Sequence, residues 1–155
     1  MLIQEARDFF IRAMQQGWAS KPQKISIPGM PGYKAIPFRD GKFYLLDLYS
    51  KTKDSAKSTG TTTIWHDDNP IWIMHYGGFY KEEAIGFLQR ALAEAYITNR
   101  FIGGRGPSLF EDDQFRYENT SVTNDFSRFR GREDVLKKQS SEVMGYHEYW
   151  GMSLL

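Results

Sequence analysis

Few residues in this chain are suited to chemistry, and the histidines come first. His75 and His147 each sit among aromatic residues in stretches of strand-like composition. Histidine is the natural proton shuttle and metal ligand near neutral pH. If the two faced one another across a local two-fold axis, Asp47 and Asn119 would complete a two-histidine site. No HExxH, His-x-His or facial-triad spacing supports that arrangement. A strand histidine that only makes a structural hydrogen bond is the plainer alternative. Nucleophile motifs are also missing: there is no Gly-x-Ser-x-Gly elbow and no cysteine. The run Gly103-Gly104-Arg105-Gly106-Pro107 has neither Walker nor GxGxxG spacing and reads as a tight connector. It still places Arg105 between glycines, where a guanidinium can clamp a carboxylate or phosphate. The consecutive acids Glu111, Asp112 and Asp113 cannot converge on one cation without a dedicated loop. No catalytic residue, metal or cofactor is therefore assigned.

What remains is an aromatic-lined concavity. Trp72 and Tyr76 share one face of a strand, and Tyr117, Tyr149 and Trp150 can join them from the second half of the chain. His75, Arg105 and Glu133 are its candidate polar groups, because binding pockets combine apolar walls with a few convergent polar side chains. The leading expectation is a non-enzymatic module that binds or senses a small molecule or peptide. The alternative is a protein-interaction module, immunity-like or adaptor-like, or stable only as a homodimer. An enzyme using His75 or His147 is the third reading.

These residues need elements to position them. Apolar residues at Leu2, Ile3, Ala6, Phe9, Phe10, Ala13 and Met14 predict a helix over 2–16, stopped at Gly17. Residues 19–37 hold Pro22, Pro28, Pro31 and Pro37 and read as an irregular connector. Strands are expected at 43–49, 61–65 and 71–76, the last ended by Gly77-Gly78. A second helix spans 81–97, with Ala84, Ile85, Phe87, Leu88, Ala91 and Leu92 on its apolar face. Further strands follow at 114–118, 125–130, 135–138 and 142–150, with Gly131 as punctuation, and the polar stretch 51–59 reads as a flexible loop.

The order helix, strand, hairpin thus occurs twice. Phe43 and Phe115, Asp47 and Asn119, Ile71 and Val143, and His75 and His147 all stand 72 residues apart. One helix and three strands cannot cover their own sheet. The expectation is an α+β fold in which two αβββ repeats, 1–79 and 80–155, form one largely antiparallel sheet of about six strands. Both helices lie on one face. The 71–76 strand is apolar on both sides, so the face away from the helices must also be covered, and a site is expected there.

A chain of 155 residues fits a single domain able to build its own core. Aromatics make up 15% of it, which suits β-rich packing. A formal charge of +1 leaves no basic excess for a phosphate backbone, so nucleic acid is not an expected partner. Arg128, Arg130 and Arg132 run directly into Glu133 and Asp134, as at a solvated strand end. The N-terminus lacks the features of a signal peptide, no apolar run suits a membrane span, and a cysteine-free chain fits a reducing compartment. A cytoplasmic location is expected.

The run Asn69-Pro70-Ile71-Trp72-Ile73-Met74-His75-Tyr76-Gly77 resembles the "kPIWxMxYxG" stretch of an uncharacterised bacterial domain-of-unknown-function family, number 5680. Gln4-Glu5-Ala6-Arg7, Arg105-Gly106-Pro107, Phe129-Arg130-Gly131-Arg132-Glu133 and Tyr149-Trp150-Gly151 are similar to further landmarks, over nearly the whole chain. That family occurs alone or C-terminal to helix-turn-helix domains in predicted transcriptional regulators. The resemblance implies a sensing or interaction role and brings no known reaction. This chain has no helix-turn-helix segment of its own.

Overall fold

A computed structural model describes residues 1–17 and 22–155 of the chain. Those residues form an α+β fold with two helices and one antiparallel sheet of nine strands. The elements are α1 (Leu2–Gln16), β1 (Ile25–Ser26), β2 (Tyr33–Asp40), β3 (Phe43–Lys51), β4 (Lys57–His66), β5 (Asn69–Tyr80), α2 (Glu82–Ile97), β6 (Leu109–Glu111), β7 (Phe115–Asp125), β8 (Arg128–Lys137) and β9 (Val143–Ser153). Across the sheet the strands run β1-β2-β3-β4-β5-β9-β8-β7-β6, so β5 and β9 meet at its centre.

Nine strands replace the expected six for local reasons. The proline-rich connector contributes β1 and β2; its residues 18–21 lie outside the described residues. Pro37 sits inside β2, where β1 pairs only with Lys34 and Ala35, so its missing N–H falls at an uncovered edge. Gly131 does not break a strand: residues 128–137 run continuously as β8. Gly77-Gly78 does not end β5, which continues to Tyr80. The β4–β5 hairpin closes through Asp67 and Asp68, both with left-handed φ, as a two-residue turn requires.

Both helices pack on the same face of the sheet, around one core. From α1, Phe9 stacks on Phe43 and Phe10 leans on Trp72; from α2, Phe87 meets Phe110 and Phe115. Trp72 is 0% exposed, stacked between Phe126 and Phe129, with Nε1 donating to the Phe126 carbonyl at 2.8 Å. Ile85, expected on the buried face, is 37% exposed. No helix among the described residues is long and apolar enough to cross a membrane.

One device recurs on the helix-facing side. Tyr76 on β5 lies across its partner Gly60 on β4 and donates to Asp47 Oδ1 on β3 at 2.8 Å. Tyr149 on β9 lies across Gly131 on β8 and donates to Asn119 Oδ1 on β7 at 2.6 Å. Tyr80 on β5 crosses Gly145 on β9 and donates to Glu133 Oε1 on β8 at 2.6 Å. Each glycine clears the neighbouring strand so that a phenol reaches a polar group two strands away. A Cβ on Gly131 would stand 2.3 Å from Tyr149 Oη, whereas one on Gly86 of α2 would meet nothing within 4 Å. Urea unfolding should therefore show Gly131→Ala destabilised by about 1–3 kcal/mol. Gly86→Ala should be neutral or slightly stabilised. Equal behaviour of the two variants would contradict this account of the glycine–tyrosine crossings.

Candidate functional site

Beneath the helices the sheet carries a buried polar cluster centred on Glu133, which is 0% exposed. Its anchor is Arg105, also buried, held in the connector between α2 and β6. Gly103 and Gly104 adopt left-handed φ of 59° and 70°, a conformation glycine takes at no steric cost. The connector is fastened along its length. Tyr96 Oη donates to the Gly104 carbonyl, the Gly103 N–H donates to Asn124 Oδ1, and the Gly106 N–H donates to Tyr117 Oη. Asn119 Nδ2 donates to the Ile102 and Gly106 carbonyls.

So placed, Arg105 donates through Nε (2.8 Å) and Nη2 to Glu133 Oε1. Tyr80 adds a third bond to Oε1, and Tyr117 donates to Oε2. Burial drives the Glu133 carboxyl upward, but the charge and hydrogen bonds of Arg105, with help from His147 and Tyr117, outweigh it and hold the group below the usual range. Burial first, then the nearby carboxylate, pushes the Tyr80 and Tyr117 hydroxyls well above their ordinary value, so both remain donors. Tyr76 behaves alike through burial and Asp47.

His147 completes the cluster as the cross-strand partner of Glu133. Its Nε2 lies 3.3 Å from Ser58 Oγ, and its Nδ1 lies 3.9 Å from Glu133 Oε1, buried and without a hydrogen-bond partner. Burial, and then the positive charge of Arg105, push the imidazole down to about 3, with Glu133 offsetting only part of this.

Over this floor opens a cavity of about 630 Å³. Arg105, His147, Tyr76 and Tyr80 form its base, and Ile85, Leu88 and Leu92 of α2 form an apolar wall. Exposed Lys24, Lys51 and Lys53 stand at its mouth. The loop that reads as merely flexible in the sequence thus frames the opening.

Of the residues singled out in the sequence, Tyr76 and Arg105 line this cavity, while Glu133 and Tyr117 lie within the cluster. Tyr149 joins it through Asn119. Trp72 is packed solidly in the core. His75 and Trp150 stack at 4.5 Å on the opposite face, in a wide, shallow depression with Arg130 and Arg132. His75 and His147 therefore do not face each other. Alternation puts them on opposite sides of the sheet, because Tyr76 pairs with Tyr149, and His147 with Gly78. The cavity lies on the helix side, and the face away from the helices is half-exposed along Ile73, His75 and Gly77.

Sequence reasoning missed Tyr80, Ser58 and the wall from α2. Tyr80 had one available signal, a tyrosine whose strand register meets a glycine.

A histidine with native pKa near 3 and an ordinary value of 6.5 binds fewer protons folded than unfolded between those limits. Its contribution to stability is complete above pH 6.5 and is lost as pH falls toward 3. On the order of 2 kcal/mol should disappear by about pH 4.5. Chemical denaturation at several pH values should show a steeper acid loss for the wild type than for His147→Gln; parallel profiles would contradict this.

The model of the family described as Domain of unknown function (DUF5680) matches residues 51–152. The match runs from the loop at the cavity mouth through β9 and includes Arg105, Glu133 and His147; the first 50 residues lie outside it. No curated protein and no solved structure matches the chain. With its central sheet, second helix and buried cluster all inside the matched region, the chain belongs to the DUF5680 family.

Proposed function

We propose that this protein is a binding module for a small organic molecule, held between α2 and the sheet. The observation that carries the reading is the cavity's floor: a buried arginine and a buried histidine, its Nε2 beside Ser58 Oγ, at the base of an opening walled by leucine and isoleucine. Binding sites combine an apolar body with a few fixed polar groups, and here Arg105 is held in place by its bonds to Glu133. The tyrosine bonds around Arg105 and Glu133 pre-form the floor, which lowers the cost of ordering it on binding.

His147 beside a carboxylate and a serine is also what an enzyme would need. The geometry argues for binding instead: His147 Nδ1 stands 3.9 Å from Glu133 Oε1 without a hydrogen bond, so no carboxylate orients the imidazole toward Ser58, and burial lowers the ring's affinity for a proton.

We also infer that the fold arose by duplication of an αβββ unit. In support, Tyr76–Gly60–Asp47 and Tyr149–Gly131–Asn119 repeat one arrangement on either side of the β5–β9 seam. The spacing is 71 residues for Gly60 and Gly131, 72 for Asp47 and Asn119 and 73 for the tyrosines, and the drift from 72 to 73 also moves His147 out of register with His75.

The binding reading is tested by thermal unfolding against a library of organic acids, organic phosphates and neutral metabolites. Gln89→Trp, on the half-buried α2 position lining the cavity, serves as a plugged control. A ligand at a hundredfold excess over Kd should stabilise the wild type by about 2.7 kcal/mol. The plugged variant should not respond. Equal shifts in both proteins, or none in either, would refute it.

A further inference from the structure

We infer that the bound molecule is anionic at its solvent-facing end, with a phosphate, sulfonate or carboxylate at the lysine mouth and an uncharged, hydrogen-bonding, apolar-bodied remainder inside. This rests on the cavity being a binding site, as proposed above. Four basic side chains line it, Lys24, Lys51, Lys53 and Arg105, against two acidic ones, Asp54 and Glu82. The distribution of that charge decides where an anion can sit.

The floor has no spare positive charge. Arg105 is neutralised by Glu133, which already accepts from Arg105, Tyr80 and Tyr117. An anion brought to that depth would lose its hydration and approach Glu133 with no unpaired cation to compensate. The floor instead offers neutral partners, His147 Nε2 and Ser58 Oγ, beside the rings of Tyr76 and Tyr80.

The mouth is different. Lys51 and Lys53 are exposed, so an anion there keeps much of its water. Neither Lys51 nor Lys53 is in an ion pair among the described residues; the lysines of the pairs Lys42–Asp67, Lys81–Glu142 and Lys138–Glu111 lie elsewhere. Lysine binds phosphate and similar groups as a point charge, without fixed geometry. Between mouth and floor, Ile85, Leu88 and Leu92 recur along one side of α2 and present a continuous apolar wall.

The experiment compares two dyes that differ by one sulfonate group, 8-anilinonaphthalene-1-sulfonate and uncharged N-phenyl-1-naphthylamine, in fluorescence titrations of the full chain at low salt. The sulfonate should bind about three- to tenfold more tightly, as expected for one or two exposed charge contacts. In the doubly substituted Lys51→Gln/Lys53→Gln protein that preference should vanish, with the uncharged dye's affinity and the Tm unchanged. Displacement by phenyl phosphate or by decanoate then tells whether phosphate or carboxylate is preferred, and displacement by neither overturns the inference. Equal binding of the two dyes, or a preference that survives loss of both lysines, overturns it while leaving the cavity reading intact. Dye binding that Gln89→Trp does not reduce sinks the cavity reading itself.

Discussion

The ion pair between Arg105 and Glu133 is the constraint around which this structure is arranged. Both groups are out of water, and an uncompensated charge at either position would cost several kcal/mol. A buried pair of this kind is weak evidence for net stability, since two well-packed apolar residues often do as well. What it does impose is position. Arg105 can reach Glu133 only if the connector between α2 and β6 bends through two left-handed glycines, and Glu133 is satisfied only if Tyr80 and Tyr117 arrive from β5 and β7. Elements far apart in the chain are thereby tied to one point beneath α2.

The glycine–tyrosine crossings are how the sheet meets that demand. A tyrosine standing upright on a strand would bury its hydroxyl among the helices with no partner. Laid across Gly60, Gly131 or Gly145, it remains within the polar layer and links strands that do not pair. The apolar core, with Trp72 between Phe126 and Phe129, fills the space beside this layer. The boundary between the two leaves the cavity, so the same features that solve the folding problem furnish its floor.

Much of this was legible in sequence. Both helices and the central strands follow from apolar periodicity and β-branched runs, and Arg105 and Glu133 stood out as candidate polar groups of an aromatic-lined concavity. The errors have definite causes. Pro37 hid β2 because proline's edge-strand tolerance cannot be told from a loop without knowing which strand lies alongside. Gly131 read as a break because the ring that covers it comes from residue 149. The two histidines were paired on a constant spacing of 72, and a single residue of drift inverts a strand's faces. The site was expected on the face away from the helices because the 71–76 strand is apolar on both sides, whereas that face is half-exposed and the cavity lies under α2.

The most direct test of the central claim is the ionisation of Glu133 itself, followed by the chemical shift of its labelled side-chain carboxyl carbon through an acid titration of the folded protein. A charged pair with Arg105 predicts a midpoint below the ordinary glutamate value of 4.5. A midpoint at or above 4.5 would mean that desolvation outweighs the stabilisation of the charged carboxylate by Arg105, contradicting the account.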